Sequence, residues 1–296
     1  MDLSLKIDRI DASDKELFFK EYFSKQKPVI IQGLVNNTAA ADKWNLDYLK
    51  SRLGDTEVMV FDNAIKKTSA YTGGDYKMKF SEFVDHIRKP EECNIRLFLF
   101  NAFKYCKDLK SEYPCPTIFK GILDKVGFMF FGGKNTHVRM HFDIDMSNVL
   151  HTQFEGKKKV ILISQDYNDL MYKTPFNTYS IADFQNRDET KFPGLKYVKG
   201  YEFVLNPGES VFMPGGYWHY MIYLEGSFSV AYRKIAYGIK NTLIGINYLT
   251  LKLWTDKLLN FTLGKRWPAY KTKVAHRRAE AAIKKIEGTG KGLITS

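Results

Sequence analysis

Cysteine is scarce in this 296-residue chain. Cys93, Cys106 and Cys115 form an odd set with no C-x-x-C spacing and no histidine partner at zinc-finger distance, which argues against a disulfide framework and a structural zinc site. A reducing cytoplasm is the compartment this usage predicts. A long apolar run is missing too. The most apolar late stretch, Leu243 to Leu253, is interrupted by Asn247, Thr250 and Lys252 and falls short of the roughly 18 uninterrupted apolar residues a membrane span requires. The first residues, MDLSLKIDRIDASDKELFF, carry charge throughout and lack the apolar core of an export signal. No G-x-x-x-x-G-K-[ST] phosphate loop occurs, because GGKNT beginning at Gly132 has the wrong spacing. No G-x-S-x-G nucleophile elbow occurs either, so P-loop nucleotide chemistry and the serine hydrolases built on that elbow are set aside.

Aromatic residues and short apolar segments are abundant. At 44% hydrophobic and 15% aromatic, the composition suits packed, aromatic-rich strands and not disorder. The formal charge is +12, and Lys265 to Lys291 holds nine Lys or Arg against Glu280 and Glu287. A solvated basic helix is the plain reading of that segment; a polyanionic partner is the sharper one.

Residues 1–120 read as a mixed α/β region. KELFFKEYF (Lys15 to Phe23) has helical spacing, KPVIIQG reads as a strand closed by Gly33, Trp44 to Leu53 and Phe80 to Ile87 read as helices, and Thr56 to Phe61 as a strand. Residues 121–236 read as a β core. GFMFFGG, HVRMHFDI, KKKVILIS, YEFVLNPG, ESVFMPGG, WHYMIYL and SFSVAYR are short strands separated by turn residues, the pattern of a barrel or sandwich. A polar insertion from Asp166 to Lys199 is placed to border a cleft. Residues 237–296 read as helical, with Ile239, Leu243, Ile246, Leu253, Trp254, Leu258 and Phe261 able to share one face. Gly264 and Pro268 separate this helix from a more basic one ending near Ile286, and GTGKGLITS closes the chain loosely. The terminal helices either cover the barrel or pair with another subunit.

His141 and Asp143 are two apart in a strand-like segment, so their side chains point to one face. His219 follows PGGYW at the start of another aromatic strand, which a barrel can bring alongside. Two neutral imidazoles and one carboxylate on one face of a metal ion form the facial triad of non-haem iron oxygenases, with positions left for a co-substrate and O2. An anionic co-substrate in an enclosed cavity needs a cation, and Lys157, Lys158 and Lys159 offer one. Lys158 inside would put Val160 and Leu162 inside as well and leave Ile161 and Ile163 to be covered by an outer layer; parity alone leaves both choices open. Of the remaining candidates, His137 is at most a weak fourth ligand, His151 is expected to line the cavity, and Asp145 to face substrate or serve structure. Trp218 is expected to pack in an outer layer, while Tyr172, Tyr217 and Tyr220 are placed to border the cleft.

The segments KPVIIQG, MHFDIDMSNVLHTQFEGKKKVILIS and KFPGLKYVKGYEFVLNPGESVFMPGGYWHYMIYLEGSFSVAYR together resemble the cupin-like subgroup of JmjC oxygenases, which includes the asparaginyl hydroxylase acting on hypoxia-inducible factor. The resemblance runs from about Leu17 to Arg233. It implies a mainly β fold with helical additions: a double-stranded β-helix, or jelly-roll, with a mixed α/β N-terminal part and C-terminal helices. It implies Fe(II) on His141, Asp143 and His219, with 2-oxoglutarate and O2 as co-substrates. Lys158, two after Gly156, would take the far carboxylate of 2-oxoglutarate, and Asn148 would line the co-substrate cavity. The family's co-substrate threonine falls three before the first ligand histidine, where this chain has Val138, so Thr136 becomes the nearest hydroxyl; Ala231 likewise stands where a polar residue is common. The implied activity is hydroxylation of a protein side chain or other macromolecule. A tRNA-directed hydroxylase of the same family is the alternative, and a non-catalytic cupin-like binding module is the rival from another class. The implied partners are an unidentified primary substrate and, through the C-terminal helices, a second copy of the chain, with no membrane partner.

Overall fold

Alternating apolar segments closed by Gly, Pro and Asx turns produce fourteen strands among the described residues, which in this computed structural model are 1–63, 74–119 and 127–289. The expected boundary between residues 120 and 121, and residues 290–296 of the closing GTGKGLITS, lie outside them. The strands are β1 (Asp2–Leu5), β2 (Asp8–Asp11), β3 (Val29–Gln32), β4 (Glu57–Asp62), β5 (Tyr76–Lys79), β6 (Ile95–Phe100), β7 (Gly127–Gly132), β8 (His137–His141), β9 (Asn148–Glu155), β10 (Lys158–Ile163), β11 (Lys199–Leu205), β12 (Glu209–Met213), β13 (Trp218–Tyr223) and β14 (Ser227–Lys234).

Two sheets face each other. One has the order β1-β11-β10-β13-β8 and the other β2-β3-β12-β9-β14-β7-β6-β4-β5. Strands β7 to β14 pair antiparallel in two sets of four, β11-β10-β13-β8 against β12-β9-β14-β7, which is the jelly-roll. The N-terminal strands extend the larger sheet at both ends: β3 pairs with β12, and β6 with β7. Ile30, Val160, Leu162, Val211 and Met221 fill the interior between the sheets.

Strand β10 is apolar on both faces because both are covered. Val160 and Leu162 belong to the interior cluster. Ile161 and Ile163 join a second cluster with Trp218, Leu195 and Ala279, contributed by β13, the insertion and the last helix. That last helix, Arg266–Thr289, stacks His276 on Phe192 and sets it edge-on to Tyr172, and its Glu287 accepts a hydrogen bond from Tyr197 Oη at 2.7 Å. It covers the insertion and buries Tyr172, which is not among the residues lining the cavity described below. The preceding helical stretch, Ile239–Asn247 continuing through a π-turn into Leu253–Leu263, behaves differently. Its apolar face looks outward, with Ile239 80% exposed, Trp254 69% and Phe261 88%. No helix among the described residues is long and apolar enough to cross a membrane.

Candidate metal centre

Register brings the three ligand candidates together. His141 is the last residue of β8 and lies directly opposite His219 across the β8–β13 pair, so both imidazoles project from one face, with ring centroids 4.2 Å apart. Asp143 sits just past β8 in a turn closed by Met146 N–H donating to its carbonyl at 3.0 Å. A second turn supports the first: Pro214-Gly215-Gly216, which leads into β13, packs so closely on it that a Cβ at Gly215 would lie 2.1 Å from the Met146 carbonyl oxygen. Only glycine permits that approach. One potential ligand atom from each of His141, Asp143 and His219 lies within 4.8 Å of the others.

Each imidazole is oriented by its own strand. His141 Nδ1 is 2.7 Å from the Arg139 carbonyl and His219 Nδ1 is 3.1 Å from the Tyr217 carbonyl. A carbonyl only accepts, so both Nδ1 atoms carry the proton and each lone pair is on Nε2, the tautomer a metal requires. Burial pushes the His141 pKa down to about 3, aided by the neighbouring His219 and opposed by Asp143; burial also lowers that of His219. Both rings are therefore neutral at physiological pH. Burial raises the pKa of Asp143, but Arg233 and the two imidazoles outweigh it, and the net shift is downward. The set is two neutral nitrogens and one carboxylate, which fits a divalent first-row ion.

The same cavity continues to Lys158. Its lining includes His141, Asp143, His219, His151, Arg233 and Lys158, with Val149, Met213, Met221 and Ala231 between them. Lys158 is only 1% exposed. Its Nζ lies 3.3 Å from His151 Nε2, donates to Ser229 Oγ and sits 4.3 Å from the Tyr223 ring centroid. Among the described residues no carboxylate pairs with it, and burial drives its pKa well below the usual 10.5. Gly156 sets up this position: its φ is +69°, and a Cβ there would lie 2.3 Å from Ser227 Cβ, so the β9–β10 turn needs glycine to start Lys158 inward. A buried cation with only neutral neighbours fits an anionic ligand.

Other expected residues lie elsewhere. Thr136 Oγ1 donates to the Gly133 carbonyl at 2.6 Å, closing the β7–β8 turn. Asn148 accepts from Gly215 N–H at 3.0 Å and donates to the Ile235 carbonyl at 3.3 Å, pinning the turn before His219. Neither is among the residues that line the cavity, and backbone groups engage the polar atoms of both. His137 is held by Asn63 at 3.1 Å. Asp145 accepts from Ser147 and Arg233. Trp218 is fully buried and donates to Asn168 at 2.9 Å. Arg233 also lines the cavity and pairs with Asp143; the sequence reading did not include it, although the alternation Ser229, Ala231, Arg233 along β14 puts it on the inner face.

The cupin-like domain family matches residues 15–233, the span that contains both ends of the cavity. Lysine-specific demethylase 8 of Xenopus tropicalis is 26% identical over 78% of this chain and 53% of its own length. Arginine-specific demethylase JMJ20 of Arabidopsis thaliana is 23% identical over 76% of this chain and 56% of its own. The human tRNA wybutosine-synthesizing protein 5 is 24% identical over 74% of each. The chain thus spans little more than half the length of the two demethylases. With this domain match, these relatives and the jelly-roll on the page, the chain belongs to the JmjC-type cupin-like oxygenase family.

Proposed function

We propose that this chain is an Fe(II)- and 2-oxoglutarate-dependent oxygenase that hydroxylates a C–H bond of a protein side chain or other macromolecule. The observation that carries the reading is one cavity with a two-histidine, one-carboxylate cluster at one end and a buried lysine at the other. A metal site and a cation that line one cavity suit a dicarboxylate. His141, Asp143 and His219 would hold the iron. When bound, Fe(II) would activate O2, the oxidant, whose four electrons would come two from 2-oxoglutarate as it loses carbon dioxide to become succinate and two from the substrate as its C–H bond becomes C–OH. Where the oxidised carbon is an N-methyl group, the hydroxymethyl product would break its C–N bond and release formaldehyde, which makes the outcome demethylation.

The protein's own part is positional. Lys158 pairs with the far carboxylate, and His151, kept neutral by burial and by the nearby lysine, accepts a hydrogen bond from Lys158 without competing for its charge. Val149, Met213, Met221 and Ala231 exclude water along the cavity walls. Anaerobic titration with Fe(II) and then 2-oxoglutarate is expected to give a visible metal-to-ligand charge-transfer band, followed on admitting air by succinate release. Protein that binds neither would be a binding module instead.

A nucleic-acid substrate is the second reading, favoured by the exposed Lys273, Arg277 and Lys284 along one side of the last helix and by the tRNA-modifying relative. Substrate binding that weakens steeply between 50 and 200 mM salt, on the order of a thousandfold, would select it.

The outward apolar face of the Ile239–Leu263 stretch is expected to cover a second copy of the chain. Leu243, Leu251, Leu258 and Phe261 are all exposed along it, and a continuous apolar surface is what the core of a stable interface, about 800 Å² on each partner, is built from. Light scattering should report twice the 34.3 kDa chain mass, and Phe261→Glu should halve it. A monomeric mass for the unaltered protein would remove the expectation.

A further inference from the structure

Arg233 stands between two carboxylates at the metal end of the cavity. Its Nη2 donates to Asp143 Oδ1 at 3.2 Å and its Nη1 to Asp145 Oδ2 at 3.3 Å. The fork is held on both sides: Arg233 projects from β14, opposite Val149 of β9, and Asp145 is fixed in turn by Ser147 N–H at 3.2 Å and Ser147 Oγ at 2.8 Å. The guanidinium is planar and rigid, so two separate carboxylates fix its orientation in a way a lysine ammonium would not.

We infer that Arg233 is a positioning residue that occupies one oxygen of Asp143 and so makes this carboxylate a single-oxygen ligand. A carboxylate bound through both oxygens would take two positions on the ion, and with the two imidazoles would leave only two others. Held by Arg233 at Oδ1, Asp143 presents Oδ2 alone, and three positions on a six-coordinate ion stay open for a chelating co-substrate and O2. The partner of Lys158 and the partner of the metal carboxylate then lie on one strand face, Ser229 and Arg233, two pleats apart on β14. A single strand thereby sets the distance between the two ends of the cavity. The inference rests on the metal-centre reading above, and its test keeps the two separable.

Cobalt(II) is the probe, because its visible spectrum reports coordination and its binding needs no turnover. The intact chain should bind Co(II) with the weak absorption of a six-coordinate site. Arg233→Met should bind about 10- to 100-fold more weakly, as loss of outer partners of metal ligands commonly does, and its spectrum should change in shape. Arg233→Lys, which keeps the charge but not the fork, should fall between. Should Arg233→Met fail to fold, Asp145→Ala serves in its place: it removes the second acceptor, leaves Arg233 anchored by Asp143 only and should show a smaller spectral change. A folded Arg233→Met with the unaltered spectrum and affinity within twofold would overturn the inference while leaving the metal site standing. An intact chain that binds no Co(II) would instead overturn the metal-centre reading, and this inference with it.

Discussion

Replacing Lys158 with Met is expected to raise the melting temperature of the ligand-free protein while abolishing 2-oxoglutarate binding. The buried ammonium has a hydroxyl, an imidazole and an aromatic face around it, all neutral. Effective penalties for burying a charge without a counter-charge amount to several kcal/mol, and replacing buried charges by apolar groups of similar volume is often stabilising. Met fills nearly the same space without charge, so a gain on the order of 2 kcal/mol is expected, or roughly 4 °C in a chain of this size. The sign of its pH dependence follows from the lowered pKa. With the folded value depressed, the penalty is complete below that value and fades as pH rises toward the unfolded 10.5. The stability advantage of Lys158→Met should therefore shrink on the alkaline side. Differential scanning fluorimetry from pH 7 to 10, beside calorimetric titration with 2-oxoglutarate, checks both parts; a variant that is less stable at pH 7 yet still binds the dicarboxylate would count against the role given to Lys158.

Asp143→Ala is expected to eliminate succinate release and lower metal affinity by more than about hundredfold, beyond the loss that outer partners of metal ligands produce. It removes the only anionic ligand, leaving two neutral imidazoles whose Nδ1 atoms are engaged by carbonyls. It also leaves Arg233 with Asp145 as its remaining recorded carboxylate partner, in a setting where an uncompensated charge is costly. Asp143→Asn retains the volume and a neutral acceptor for Arg233, and so separates the two effects: metal affinity should fall in both variants, and folding stability less in Asn than in Ala. Succinate release at the unaltered rate in metal-controlled assays would overturn the assignment of the centre.

The convergence of His141, Asp143 and His219 was readable in the sequence because two independent local rules agree. Period-two alternation puts His141 and Asp143 on one side, and the Pro214-Gly215-Gly216 turn returns the chain so that His219 begins the neighbouring strand. Lys158 was harder. KKVILI is apolar on both faces once Ile161 and Ile163 are covered by the insertion and the last helix, so parity carried no preference until the outer layer was known. Thr136 and Asn148 came from resemblance by position, and their polar atoms turned out to be engaged by turns, a choice of partner that residue type does not encode. Strand β6, IRLFLF, went unread because a continuous apolar run shows no alternation. Arg233 stands on the same inner face as Ala231, but an arginine near a strand end usually reaches solvent, and its two carboxylate partners come together only in the fold.

The edge pairing of β3 on β12 and of β6 on β7 also bears on how this molecule can be cut. A fragment beginning at Gly127 would keep the chemistry-bearing side chains yet bare both flanks of the larger sheet, exposing unpaired ladder groups that invite strand addition from other chains. The jelly-roll is therefore no excisable cassette, and whatever modifies the N-terminal third also touches the wall behind the reaction.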